Sequence, residues 1–260
     1  METISTIIWD EDAHPADPFT VKECRCCGYD IHGDLLKNAS YIEYLYLLFK
    51  HEQPTVTHAL LLESLSIALA NPGPRDYSVR AAMNAAVGGS TRASAIIAAL
   101  SVGAGSLGGA REVFCAVDYW RRCGFDLQAW QRLLRNPPSQ RTTDIWLPME
   151  HAPGFDPNGS VCPPPVEKTL NCLQELGGTP ALQWLHTHRA ELEAVTHCPL
   201  AFSGVAAATF YDLGLVPEQA EMLYLLLRLP GAAAHALEQE KMGWRNYPFF
   251  TDALDVKQES

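Results

Sequence analysis

The stretch Tyr41-Ile42-Glu43-Tyr44-Leu45-Tyr46-Leu47-Leu48-Phe49-Lys50 decides the fold class. Ile42, Leu45, Leu48 and Phe49 recur at the spacing of one helix face, and Pro54 marks the break before the next element. Thr55 to Ala70 repeats the pattern through Ala59, Leu62, Ile67 and Leu69, then stops at Asn71-Pro72-Gly73-Pro74. Two helices separated by a turn are expected from this region alone.

Working outward, Ser78 to Gly105 is dominated by Ala, Gly and Ser, which lets helix backbones approach closely at a crossing or a subunit interface. Gly103-Ala104-Gly105 and Gly108-Gly109 punctuate it, and a further helix is predicted from Ala110 to Arg122. Another short helix closes at Asn136-Pro137-Pro138. The proline-rich segment from Pro148 to Pro165 reads as a loop, long enough that a functional role is the better account of the entropy spent ordering it. Beyond it, helices are predicted at Val166 to Leu176, Pro180 to Ala194, Ala201 to Leu213, Pro217 to Leu227 and Ala232 to Lys241. Glu218 in the first turn and Arg228 at the end of the fourth of these suit the helix dipole. No convincing alternating strand run is visible, so the expected fold class is all-α.

The 260 residues suffice for one main domain, since single cores stop growing at roughly 250–300 residues. With 19 Lys and Arg against 30 Asp and Glu the net charge is -11, which argues against nucleic acid or an anionic membrane surface as partner. The opening METISTIIWDEDAHPADPF lacks the basic and apolar regions of a secretory signal, so a cytoplasmic location is expected. Ala93 to Ala110 is uncharged but rich in Ala, Gly and Ser, which points to a buried helix ending in a glycine turn rather than a membrane span. Cys24, Cys26 and Cys27 cluster without a second ligand pair at zinc spacing, so no metal site is expected.

Several blocks, in order, carry a family resemblance. Cys27-Gly28-Tyr29-Asp30-Ile31 followed by Tyr41 to Thr55 is similar to the opening of the citrate synthase superfamily. Ser106-Leu107-Gly108-Gly109-Ala110-Arg111-Glu112 resembles its small-residue turn, and Phe202-Ser203-Gly204-Val205-Ala206 the helix after its catalytic aspartate. Arg228 to Gln239, with His235, resembles a late helix of the family, and Trp244-Arg245-Asn246-Tyr247-Pro248-Phe249 the closing segment of its lyases. Citryl-CoA lyase and the lyase module of ATP-citrate lyase are the nearest members. The resemblance implies a citrate synthase-like helical fold, a large helical domain with a small lobe at about residues 125–200, following an N-terminal segment over 1–22, and a homodimer. It also implies an acyl-CoA or organic acid as small-molecule partner, with no permanently bound cofactor. Coenzyme A, as a thioester, would lie against Gly108, Gly109, Gly154 and Phe155.

The same resemblance exposes three substitutions. The family's chemistry needs a base beside the thioester and donors aimed at developing oxyanions. Where its lyases have Asp-His-Gly-Pro, this chain reads Asn71-Pro72-Gly73-Pro74; Pro157 stands in the loop of its second histidine, and Leu200 where its aspartate is expected. Candidate replacements are Asp156, as a base or else as the head of an Asx turn, and His151, as a polarising donor. His235 keeps a family position and is either functional or a packed core histidine. His197-Cys198 reads as a buried cysteine beside a histidine that faces elsewhere. Arg228 and Arg245 are the candidates for a substrate carboxylate, with Arg141 and Lys168 as further basic residues. Two functions follow: an enzyme of citryl-CoA lyase type with a rearranged site, or an inactive paralogue that binds CoA or completes an assembly.

Overall fold

A computed structural model describes residues 6–138 and 149–247. The chain divides into two compact units. One comprises residues up to Ser64 with Glu175–Gly178; the other comprises Leu65–Gln174 and the chain from Thr179 onward.

The first unit corrects the expectation that no strand forms. Strands β1 (Asp10–His14), β2 (Asp17–Cys26) and β3 (Tyr29–Asp30) make an antiparallel sheet in the order β1-β2-β3. The signal was missing because alternation marks a strand with one buried face. Most of β2 is exposed, Phe19 at 96%, and the β1–β2 register shifts at Ala13. Cys27 and Gly28 both take positive φ, +50° and +85°, in the two-residue turn joining β2 to β3, the backbone a type I′ hairpin requires. A π-helical turn over Ile31–Leu35, capped by Asp30, runs into α1 (Leu36–Asn38). Ser40 and Glu43 then form a reciprocal capping box that starts α2 (Tyr41–Lys50). Cys26, Leu35 and Leu47 form the buried centre of this unit. Helix α3 (Val56–Ala70) follows, its later residues belonging to the second unit.

In the second unit, Asp76 and Thr91 cap α4 (Tyr77–Val87) and α5 (Arg92–Gly103). The small residues of this stretch pack a helix crossing: Val79, Ala82, Ala95 and Ala99 are buried together with Ala232 and Ala236. After the glycine turn come α6 (Ala110–Cys123), α7 (Leu127–Arg135), α8 (Pro164–Glu175), α9 (Pro180–Thr196), α10 (Phe202–Asp212) and α11 (Pro217–Met242), then a short 3-10 turn at Trp244–Asn246. Helix α10 is buried on all sides from Ser203 to Phe210 and packs on α6 and α9. No described helix is long and apolar enough to cross a membrane.

Helix α11 corrects a second expectation. It runs unbroken for 26 residues with Pro230 inside, where two helices had been predicted. An interior proline costs about 3 kcal/mol through a lost hydrogen bond and a ring clash. Burial of Leu223, Tyr224 and Leu227 before it, and of Ala232 and Ala236 after it, against α4, α5 and α6, outweighs that cost.

Candidate functional site

A cleft of about 360 Å³ opens in the second unit, with Arg75, Tyr77, Phe155, Asp156, Asn158 and Phe202 among its lining residues. Three of the segments that line it are the turn before α6, the loop after residue 149 and the start of α10, beside the starts of α4 and α8. Each is held by a specific polar contact.

Glu112, in the first turn of α6, is 1% exposed. Its Oε2 accepts from the Gly108 backbone N–H at 2.6 Å and lies 3.3 Å from His151 Nε2. Its Oε1 accepts from the Gly154 N–H at 2.9 Å and from the Ser203 hydroxyl at 2.5 Å. A buried carboxylate is costly unless its lone pairs are met, and here all three segments meet them.

The loop reaches α10 through backbone alone. Asp156 N–H donates to the Pro199 carbonyl at 2.8 Å and Ala201 N–H to the Gly154 carbonyl at 3.0 Å, flanking a bridge between Phe155 and Leu200. Gly154, at φ +91°, passes so close to Gly204 that a Cβ on either would collide with the other's backbone. Ala201, the N-cap of α10, has no capping side chain, and Ala201 and Phe202 at this helix start line the cleft.

Behind the lining, Arg228 of α11 is 6% exposed. Its guanidinium donates to the Gly108 carbonyl at 3.0 Å and to the Asp76 carboxylate. The Tyr224 hydroxyl also donates to the Gly108 carbonyl, at 3.3 Å, and burial pushes its pKa up to about 12, so it stays a donor. Asp76 in turn caps α4 by accepting from Ser78 N–H at 2.9 Å. A continuous chain of polar contacts therefore runs from Asp76 through Arg228 and Gly108 to Glu112.

The sequence candidates fall into three groups. Gly108, Phe155 and Asp156 line the cleft; Gly154 and Gly109 form its supporting backbone. The Asp156 Oδ1 accepts from Asn158 N–H at 2.9 Å, an Asx turn that leaves Oδ2 outside that bond. His151 and Arg228 stand behind the lining, bonded to Glu112 and to Gly108. His235 and Arg245 are not among the lining residues. His235 Nε2 lies 3.0 Å from Asn71 Oδ1 with Nδ1 3.3 Å from Glu238, while the Arg245 guanidinium stacks on Trp244 at 5.2 Å. Lys168 sits on α8 outside the lining, and Arg141 lies outside the described residues.

Cys198 is no activated nucleophile: burial first, then Asp156, raises its thiol pKa, the reverse of what thiolate chemistry needs. Burial pushes the Cys26 thiol up to about 11, and among the described residues no cluster of His, Cys, Asp and Glu suits a metal ion. Sequence reasoning missed the roles of Glu112, Ser203, Asp76 and Arg75. A glutamate three residues after Gly109, with no basic partner at helical spacing, was the one available signal for Glu112.

No family model matches the chain and no curated protein matches its sequence. Solved structures do match its backbone. Citryl-CoA lyase from Hydrogenobacter thermophilus superposes with a TM-score of 0.72 at 19% identity, over 99% of this chain and 93% of its own. The chain has a citrate synthase-like fold. Two larger proteins share this citrate synthase-like fold. A variant ATP citrate lyase from Methanosaeta concilii, solved with (3S)-citryl-CoA, gives a TM-score of 0.69 at 17% identity, over 95% of this chain. An ATP citrate lyase from Methanothrix soehngenii, solved with citrate and coenzyme A, gives 0.72 at 17% identity over the whole of this chain. This chain spans 40% and 42% of those two proteins. The citrate synthase-like fold thus accounts for the described helices at identities where the likeness establishes the backbone alone.

Proposed function

We propose that this protein binds an acyl-CoA thioester in the cleft beside Phe155 and makes or breaks a carbon–carbon bond of citryl-CoA type, as a cytoplasmic homodimer. The observation that carries this reading is the cleft itself: it lies at the small-residue turn and the Gly154-Phe155 loop that resemble the family's CoA-binding segments, in a chain whose backbone matches a citryl-CoA lyase nearly end to end. Asp156 is the base in this scheme. Of the carboxylates lining the cleft, Asp76 is engaged by Arg228 and the α4 cap, and Glu112 by four donors, whereas Asp156 keeps one oxygen for a substrate proton. Arg75, exposed at the rim, would meet an acid carboxylate, and the uncapped start of α10 an oxyanion.

The test is incubation with citryl-CoA, or with acetyl-CoA plus oxaloacetate. Turnover that falls at least about a hundredfold in Asp156→Ala supports the reading, since a general base contributes about 10² to 10⁴. Turnover unchanged in that variant refutes the role of Asp156.

A second reading is favoured by Leu200. Standing where the family's aspartate is expected, it is 1% exposed and carries no ionisable side chain, and its N–H donates to Glu193 Oε1 at 2.9 Å. On this reading the chain is a CoA-binding regulatory or assembly subunit. It predicts CoA binding by calorimetry with no deuterium exchange at the α-carbon of bound acetyl-CoA; exchange there eliminates it.

A further inference from the structure

Four donors from three separate segments converge on one carboxylate in this protein, and the wall they build is the wall of the cleft. An ionised carboxylate is acceptor-only, with about four lone-pair sites. At Glu112 these sites are met by Gly108 N–H, Gly154 N–H, the Ser203 hydroxyl and His151 Nε2. We propose that Glu112 is the positioning residue of the cleft. Its carboxylate sets the separation of the Gly108 turn, the Gly154–Asn158 loop and the start of α10, and through them the places of Phe155 and Asp156. The effect on ligand rests on the reading that the cleft takes a CoA thioester; the positioning does not.

The geometry separates charge and acceptor number from mere bulk. Glutamine fills the same space but presents one N–H₂ where glutamate presents an oxygen. With the amide nitrogen at the Oε1 place, the Ser203 hydroxyl can reverse and accept, but the Gly154 N–H then faces a donor. With the nitrogen at the Oε2 place, His151 can accept in one tautomer, but the Gly108 N–H faces a donor. Main-chain N–H groups cannot reverse. Whichever way the amide turns, one of the two loop segments loses its N–H bond to residue 112 while the packing of α4, α5 and the far half of α11 is untouched.

The experiment is Glu112→Gln in the full chain, read by hydrogen exchange and by calorimetric titration with coenzyme A and with citryl-CoA. Amide protection is expected to fall at Gly108 or at Gly154 while peptides from α4, α5 and the far half of α11 exchange as in the parent. Ligand affinity is expected to fall at least about tenfold, the equivalent of one buried donor left unpaired. Glu112→Asp retains four acceptor sites on a shorter arm, so one wall must move or release; it should lose affinity too, and it serves if the glutamine variant does not fold. Parental protection at both glycines in whichever variant folds overturns the proposal. If the parent protein binds neither ligand, the CoA reading fails, and the exchange pattern still decides the role of Glu112.

Discussion

Substituting Gly204 by alanine adds a single methyl group at the point where two backbones touch. The new Cβ would collide with the Gly154 carbonyl oxygen, lie 3.2 Å from its carbon and stand 2.8 Å from Leu200 Cδ1. The Leu200 side chain is fully buried and has little room to yield, and Gly154 is fixed from both sides, its N–H by Glu112 and its carbonyl by Ala201 N–H. Alanine in the first turns of a helix would ordinarily help by up to about 1 kcal/mol relative to glycine. Overpacking a tight interior costs about 1–3 kcal/mol, and the collision with main chain places this site at the upper end. The difference is a net loss of about 2 kcal/mol, or a fall of roughly 4–8 °C in Tm for a chain of this size. Thermal unfolding followed by circular dichroism measures it. A Gly204→Ala protein as stable as the parent, or more so, would show that helix propensity governs this position and that the loop is not locked against α10.

Pro230→Ala should raise Tm, because it restores an N–H to α11 where packing already enforces the helix; the gain is bounded by the roughly 3 kcal/mol that an interior proline costs. A fall in Tm would mean that the proline serves the packing. Arg228→Lys should destabilise by about 1–3 kcal/mol, since a single ammonium cannot hold the Gly108 carbonyl and the Asp76 carboxylate with the fork that now spans them; chemical denaturation reads the loss. Asp212 caps α9 by accepting from Ala181 and Leu182 N–H, and burial pushes its carboxyl up from the ordinary 3.8 to about 6. A raised folded pKa means the native state holds the proton more tightly, so the contribution is complete at the lowest pH and is lost as pH climbs through about 6. The stability of the parent minus that of Asp212→Asn should therefore fall from pH ~4 to ~6.5. A value that rises over that window contradicts the sign.

The helices were legible where a periodic apolar face met a clear stop, as at Tyr41–Lys50 and Pro180–Thr196. The small-residue stretch also announced its crossing, because only close backbones need so few side-chain atoms. The β1–β2 hairpin was invisible for the opposite reason: a ribbon exposed on both faces has no pattern to display. Pro230 misled because local propensity favours a break, and only the tertiary burial of both halves of α11 overrides it. At the candidate site, the glycines at Gly108 and Gly154 were readable from their types alone. Glu112 was not, since its four partners lie up to 91 positions away in sequence and meet only once the chain has folded. His151 was legible as a polar residue in a functional loop, yet its nitrogen is directed to Glu112 rather than into the cleft.

A crystal structure of the protein grown with coenzyme A and citrate, or with a non-cleavable citryl-CoA analogue, tests the central claim most directly. Ligand density against Gly108, Phe155 and Asp156, with a carboxylate at Arg75, is the predicted result. Saturating ligand with the cleft empty, or density held at a different surface, would contradict it.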